Sequence, residues 1–333
     1  MASKLNGKVS VIKVDIAPLS KIDVRKPNFG KLQAVLRGLA AAYRNRKQWR
    51  AMYIGMSGNL GQYYELIFVC LGRFYGKALY LHHHSFAYID RGKIHFRLLS
   101  YVAGSDCTHI VLSKKMGELL EAQYKSVNKV RVLSNIVFIP KPKVTVKSLN
   151  PAIVIGFMSN ISFDKGIGLF FDTLDRLRLD GVEFEAVIAG PFQNKKVDDF
   201  VSDKILNQRN VTYIGPIYEK EKVNFLKKIN ILLFPTMYKN EAEPLTIYEC
   251  FAYGVPVISL NRGCIGENLD YRCGLLVNDP SEYAFIASRQ VSSWVADRES
   301  MAAIALSCRE AFEAKQAICE PALAEIIETI QKP

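Results

Sequence analysis

The chain has 333 residues, of which 49 % are hydrophobic and 23 % charged. That is enough for two domains, in a globular rather than a disordered composition. The net charge of +12 hides an asymmetry: residues 1–150 hold 25 Lys and Arg against 7 Asp and Glu, a net +18, whereas residues 151–333 hold 19 against 25, a net −6. No apolar run reaches the roughly 20 residues of a bilayer-spanning helix. The opening "MASKLNGKVS" shows no apolar leader core, and the seven cysteines form no CxxC pair. A disulfide frame is therefore not expected, and reduced thiols in cytoplasm are.

In chain order, the first half offers strand-like runs at 9–16, 50–56, 77–84, 108–113 and 130–138, with helices near 30–46, 61–75 and 114–124. Residues 141–151, within "IPKPKVTVKSLNP", read as a Pro- and Lys-rich linker. The second half alternates more cleanly. Apolar strands at 152–159, 184–190, 211–215, 229–236 and 256–260 are separated by helices near 166–179, 196–207, 219–228 and 244–253. Continuous apolar strands alternating with helices predict an α/β protein with parallel sheets covered on both faces. The tail over 281–331 reads as helical with an interruption at Pro321. The expected organisation is two Rossmann-like, doubly wound domains facing across a cleft, over 1–140 and 152–300, followed by C-terminal helices over 301–333 that pack back on the first domain. Ligands of such sheets bind outside the carboxyl ends of the strands.

One stretch at such an end carries chemistry: "NEAEPLTIYECFAYGVPVIS", residues 240–259. Pro244 suits the first position of a helix, where a missing N–H costs nothing. Thr246 and Glu249 have capping-box spacing, an alternative start. Gly254 and Pro256 end the helix. Its N-terminal amides would suit a phosphate. Ionised carboxylates only accept hydrogen bonds, so Glu241 and Glu249 suit hydroxyl-rich ligands such as a sugar or ribose. The competing reading is that Glu249 merely caps the helix and Glu241 is solvated. Glu243 reads as solvated surface.

Glu241 and Glu249 are the two glutamates of an E-x7-E spacing followed by "CFAYGVPVIS". This resembles the motif of retaining GT-B glycosyltransferases, the group 1 family. "SNISFDKG" resembles that family's phosphate loop and "VIAGP" the strand after it. "GCIGENLDYRCGLLVNDP" resembles its G-G-x-x-E…G-L-L-V-x-P run. The likeness covers roughly residues 75–295.

The resemblance implies a metal-independent hexosyltransferase that acts with retention on a nucleotide-diphosphate sugar, UDP- or GDP-linked, in polysaccharide biosynthesis. Glu249 would bind the ribose and Glu241 the donor sugar. Amides around Pro244, Leu245 and Thr246 would hold the diphosphate, although Pro244, where the family has glycine, lacks an N–H. Lys165 would neutralise the leaving diphosphate. Asn160 stands where an arginine is usual, and Arg262 is another candidate cation. Gly190 and Tyr218 complete the expected donor site. In "HHHSF", His83 matches the family's donor-facing histidine, with His82 and His84 as alternative registers. No D-x-D occurs in the chain, and no cofactor or metal is expected.

The expected partners are the nucleotide sugar and a saccharide acceptor, lipid-linked in this reading. Residues 30–50 combine an apolar stripe with six cations, which fits an anionic membrane surface and a peripheral place on its inner face as well as it fits an ordinary surface helix. Three rivals carry less. "GMSGNLG" at 55–61 resembles a dinucleotide loop, but no acidic residue stands about 20 residues on to hold a ribose. The basic half could bind nucleic acid, but no such motif is present. An isomerase or epimerase on the same fold would use the donor without an acceptor.

Overall fold

A computed structural model describes residues 11–14, 29–142 and 153–331. The chain forms two compact units, one running to Ser134 and resuming at Glu320, the other from Asn135 to Cys319. Residues 135–140 and 301–319 thus belong to the second unit. The linker expected over 141–151 lies almost wholly outside the described residues, as does most of the strand expected over 9–16, of which 11–14 have no regular structure.

The first unit opens with α1 (Phe29–Arg44), β1 (Ala51–Met56) and α2 (Gln62–Phe74). It continues through β2 (Ala78–His83), α3 (Ile94–Ala103), β3 (Thr108–Val111), α4 (Lys114–Gln123) and β4 (Lys129–Val132). The four strands pair in parallel and in chain order. Right-handed crossovers between strands in this order put α2, α3 and α4 on one face of the sheet.

The second unit has β5 (Ile153–Met158), α5 (Ile167–Leu179), β6 (Phe184–Ala189), α6 (Lys195–Leu206) and β7 (Val211–Tyr213). After them come α7 (Glu219–Lys228), β8 (Ile231–Phe234), α8 (Leu245–Ala252), β9 (Val257–Leu260), α9 (Ile265–Asn268), β10 (Gly274–Val277), α10 (Tyr283–Ala296) and α11 (Arg298–Gln331). Its six-stranded parallel sheet has the order β10-β9-β8-β5-β6-β7. Every residue of β5, β8 and β9 is buried, as continuous apolar strands require when helices cover both faces. Chain direction across the sheet reverses between β5 and β8, which pair with each other. The loops leaving these two strands therefore flank the topological switch point, where such sheets bind ligands.

Four expectations need correction. The apolar run over 130–138 is not one strand: β4 stops at Val132, and residues Asn135–Phe138 form a 3₁₀ turn that buries Ile136 and Val137. Helix α3 had no expected counterpart, because Ile94, Phe96 and Leu98 alternate with His95 and Arg97 as in a strand. What it buries is Phe96, Leu99, Ser100 and Ala103, a helical spacing. Strand β10 was also not foreseen. Pro321 does not interrupt the tail: α11 runs through it, and the break falls at Asp297 instead. Proline costs one backbone bond and a local bend, which a long helix can absorb.

Candidate active site

The loop after β5 closes on a tight turn. The Lys165 amide donates to both the carbonyl and the hydroxyl of Ser162, each at 3.1 Å. Gly166, with φ at +83°, caps α5, and a Cβ there would sit 2.0 Å from the Pro235 carbonyl oxygen. Only glycine permits that approach, which brings the loop against the one leaving β8. The Met237 amide donates to the Asp164 carbonyl at 2.8 Å and joins the two. Gly190 does the same at the end of β6: its φ is +131°, and a Cβ would meet the Ser159 carbonyl oxygen at 1.8 Å.

Between these loops the Lys165 ammonium donates to Glu241 Oε2 at 2.5 Å and lies 4.8 Å from the Tyr238 ring centre. The Thr236 hydroxyl donates to the same oxygen at 2.9 Å. Glu241 is 8 % exposed and Thr236 fully buried, so the carboxylate is not solvated surface. Across α8, Lys222 of α7 donates to Glu249 Oε1 at 2.5 Å. Pro244 is the N-cap of α8, extended at ψ 121°, and no side chain caps this helix. Glu249 therefore makes an ion pair rather than a capping box, and the competing reading fails for both glutamates.

The Leu245 and Thr246 amides open α8, among the first N–H groups of a helix that have no partner within it. Leu245 is 44 % exposed. Asn160 and Tyr218 are exposed; Tyr218 begins α7, the helix that carries Lys222. Arg262 is half-buried with its Nε unpartnered, next to Gly263, where a Cβ would lie 2.1 Å from the Glu241 carbonyl oxygen.

Glu243 is not solvated either; it is 5 % exposed. Its Oε1 accepts from the Tyr248 hydroxyl at 2.7 Å and from Asn268 Nδ2 at 2.9 Å, and its Oε2 from the Asn135 amide at 2.5 Å. Lys315 of α11 bonds Asn268 Oδ1 at 2.5 Å. Burial lowers the Lys315 pKa and the Glu243 charge opposes that shift. A glutamate beside Pro244 gives no sequence signal of this, because two of its three partners come from residues 25 and 108 positions away.

His83 belongs to the first unit and is fully buried. It bonds the Tyr88 hydroxyl at 2.7 Å and His109 Nδ1 at 3.1 Å. Neighbours on a strand face opposite ways, so His82 turns to Tyr53 and lies 4.0 Å, ring centre to ring centre and tilted by 45°, from His84, the exposed member of the three. Burial holds His82 and His83 well below the ordinary histidine range and lowers His109 to about 4. Among the described residues no three His, Cys, Asp or Glu side chains form a metal-holding group. The glycine loop 55–61 is filled from within: Glu65 accepts the Ser57 amide at 2.9 Å and Gln62 donates to the Ser57 carbonyl at 2.8 Å. A phosphate there would need the amide that Glu65 already holds.

Sequence positions that gave no signal but complete the site are Thr236, Tyr238 and Lys222. They become visible only when two loops and two helices meet at the switch point.

Two Rossmann-like units, with paired carboxylates and cations at the switch point of the second, define an α/β protein of the GT-B class. The chain belongs to the family of glycosyl transferases group 1, whose model matches residues 142–308, half of its length. A D-rhamnosyltransferase of Pseudomonas aeruginosa, WbpZ, is 29 % identical over 143 residues. That match spans 42 % of this chain and about a third (35 %) of the relative. Among solved structures, HepE of Anabaena in complex with UDP superposes with a TM-score of 0.68 at 14 % identity, over 91 % of this chain and 84 % of the other. Sucrose-phosphate synthase from Thermosynechococcus elongatus does so with a TM-score of 0.70 at 15 % identity, over 96 % and 82 %. At such identities the likeness shows the fold alone. Among the described residues, no helix is long and apolar enough to cross a membrane.

Proposed function

We propose that the chain is a retaining glycosyltransferase that moves a hexose-type sugar from a nucleoside-diphosphate donor to a lipid-linked saccharide acceptor in polysaccharide biosynthesis. The observation that carries this is the spacing of two buried-to-half-buried carboxylates, each on a lysine, around the open amides of α8. In this reading Glu249, held by Lys222, takes the ribose hydroxyls. Glu241, held by Lys165 and Thr236, takes hydroxyls of the donor sugar. Lys165 with the Leu245 and Thr246 amides faces the diphosphate; Pro244 has no N–H to give, and Asn160 and Arg262 border the same loops. The bond from the anomeric carbon to the diphosphate oxygen breaks, charge develops on both fragments, and the acceptor oxygen bonds the same face while its proton leaves with the diphosphate. Lysine and helix dipole stabilise that charge without requiring a metal. A neighbour of the same fold holds UDP and UDP-glucose, and a relative is named for rhamnosyl transfer, in keeping with a nucleotide-sugar donor.

The test is a thermal-shift panel of UDP, GDP, ADP and CMP. One nucleoside diphosphate should raise the melting temperature, and Glu249→Ala should abolish the rise. If none of the four stabilises the protein, the donor-site reading is wrong.

A further inference from the structure

Lys222 and Glu249 meet from two helices of the second unit. Lys222 stands on α7, whose start is fixed: the Tyr218 amide donates to Glu221 Oε2 at 3.4 Å, and Glu219 holds φ at +39°. A residue other than glycine keeps such a φ only where its surroundings over-determine it. Glu249 stands on α8, four residues after Leu245 and so about 6 Å further along the axis from the open amides. A nucleoside diphosphate extends in that order, diphosphate and then ribose.

The ion pair leaves both partners with capacity to spare. The Lys222 ammonium donates to Glu249 Oε1 at 2.5 Å. An ammonium carries three donors, and among the described residues it spends only this one. Glu249 Oε2 accepts from none of the described residues, and it is not one of the unpartnered atoms sealed from solvent. The lysine side chain is 36 % exposed and the glutamate side chain 14 %, so the pair is open on one side. Joining α7 to α8 by an ion pair at so accessible a place gains little stability.

A carboxylate alone offers only acceptors; with a lysine on its other oxygen it offers an acceptor and a donor side by side. A vicinal diol matches that arrangement. One hydroxyl donates to Glu249 Oε2, and the oxygen of its neighbour accepts from the Lys222 ammonium. A phosphate would be repelled by Glu249, and an aromatic base finds no flat apolar face on either side chain.

We infer that Lys222 is itself a ribose-contacting residue, and that Lys222 and Glu249 divide the two ribose hydroxyls between them, the lysine as donor to one and the glutamate as acceptor from the other. This rests on the donor-site reading above and adds a specificity to it: the site requires both hydroxyls to be free. A lysine that did no more than hold Glu249 in place would, when removed, weaken every nucleotide alike.

The test is calorimetric titration of the full chain with UDP and GDP and with the 2′-deoxy and 3′-deoxy form of each. For whichever of the two binds, the unmodified chain should bind each deoxy form at least about tenfold more weakly, because a group built to meet a hydroxyl is left unpaired. Lys222→Met, at an unchanged melting temperature, should bind the ribonucleotide about tenfold more weakly, the loss of a hydrogen bond from a charged donor. It should no longer distinguish the ribonucleotide from one of the deoxy forms while still rejecting the other, whose missing hydroxyl is the one Glu249 takes. Equal affinity of the unmodified chain for the ribo and deoxy forms overturns the inference without any variant. So does a Lys222→Met chain that binds as the unmodified one does, which leaves the lysine off the nucleotide. A Lys222→Met chain that weakens all forms alike also overturns it, because the lysine then acts only through Glu249. If neither UDP nor GDP binds, the donor-site reading falls and this inference with it. If one binds and Glu249→Ala abolishes binding while Lys222→Met changes nothing, only this inference falls.

Discussion

Replacing Glu243 by alanine tests the claim that a carboxylate beside the start of α8 holds the second unit together. In the folded chain it accepts three hydrogen bonds, from the Asn135 amide and from the Tyr248 and Asn268 side chains. It also supplies negative charge near the half-buried Lys315. Alanine leaves those donors without this acceptor at a site where Glu243 is 5 % exposed. Each orphaned buried donor costs about 1–3 kcal/mol, and the terms do not add in full because water reaches part of the site. Removing one partner of a buried charged network typically costs about 3–5 kcal/mol, and we expect a loss in that range for Glu243→Ala. Glutamine keeps one acceptor oxygen but turns an NH₂ towards a donor, so Glu243→Gln should lose about half as much. The assay is urea unfolding followed by tryptophan fluorescence in a Trp49→Phe background, which leaves Trp294, a buried residue of the second unit, as the reporter. A midpoint change equivalent to less than about 1 kcal/mol for the alanine variant, at an unchanged slope, would refute the reasoning.

Two further outcomes follow from the same physics. Gly166→Ala should destabilise the second unit by at least about 2 kcal/mol in that assay, because a Cβ at φ +83° would meet the Pro235 carbonyl, a backbone atom that no rotamer change can move. Acid should weaken the first unit: the unfolded chain protonates His82, His83 and His109 near pH 6.5, whereas the folded chain resists until well below, at about pH 4 for His109. Between those limits the unfolded state binds more protons, so stability falls as pH falls, by up to about 1.4 kcal/mol per pH unit for each such histidine. Urea midpoints read through Trp49 in a Trp294→Phe background at pH 7.5, 6 and 5 measure this, and a flat profile would contradict it.

The sheet of the second unit was legible because its strands are unbroken apolar runs, a pattern that only a doubly covered parallel strand satisfies without loss. The helix of residues 245–252 was legible from its ends, Pro244 and Gly254, whose backbone limits are local properties. Spacing alone also singled out Glu241, Glu249 and Lys165. Their pairing was beyond it. Whether a carboxylate is solvated, capping or locked on a lysine depends on which loop lies opposite, and Lys222, Thr236 and the Gly166–Pro235 approach are set by the order of strands across the sheet. Glu243 shows the difference most sharply: as a letter beside Pro244 it reads as surface, and as a side chain it is buried among donors from α8 and from two distant segments. The histidines of β2 divide in the same way, because alternation along a strand is written in the chain while the choice of inward face is made by the helices that cover it. Sequence by itself determined the α/β class, the two-part charge division and the motif that marks the switch point, since these rest on local periodicity and composition. Only tertiary structure decided burial and ion pairing, since each depends on what packs against a residue from elsewhere in the chain.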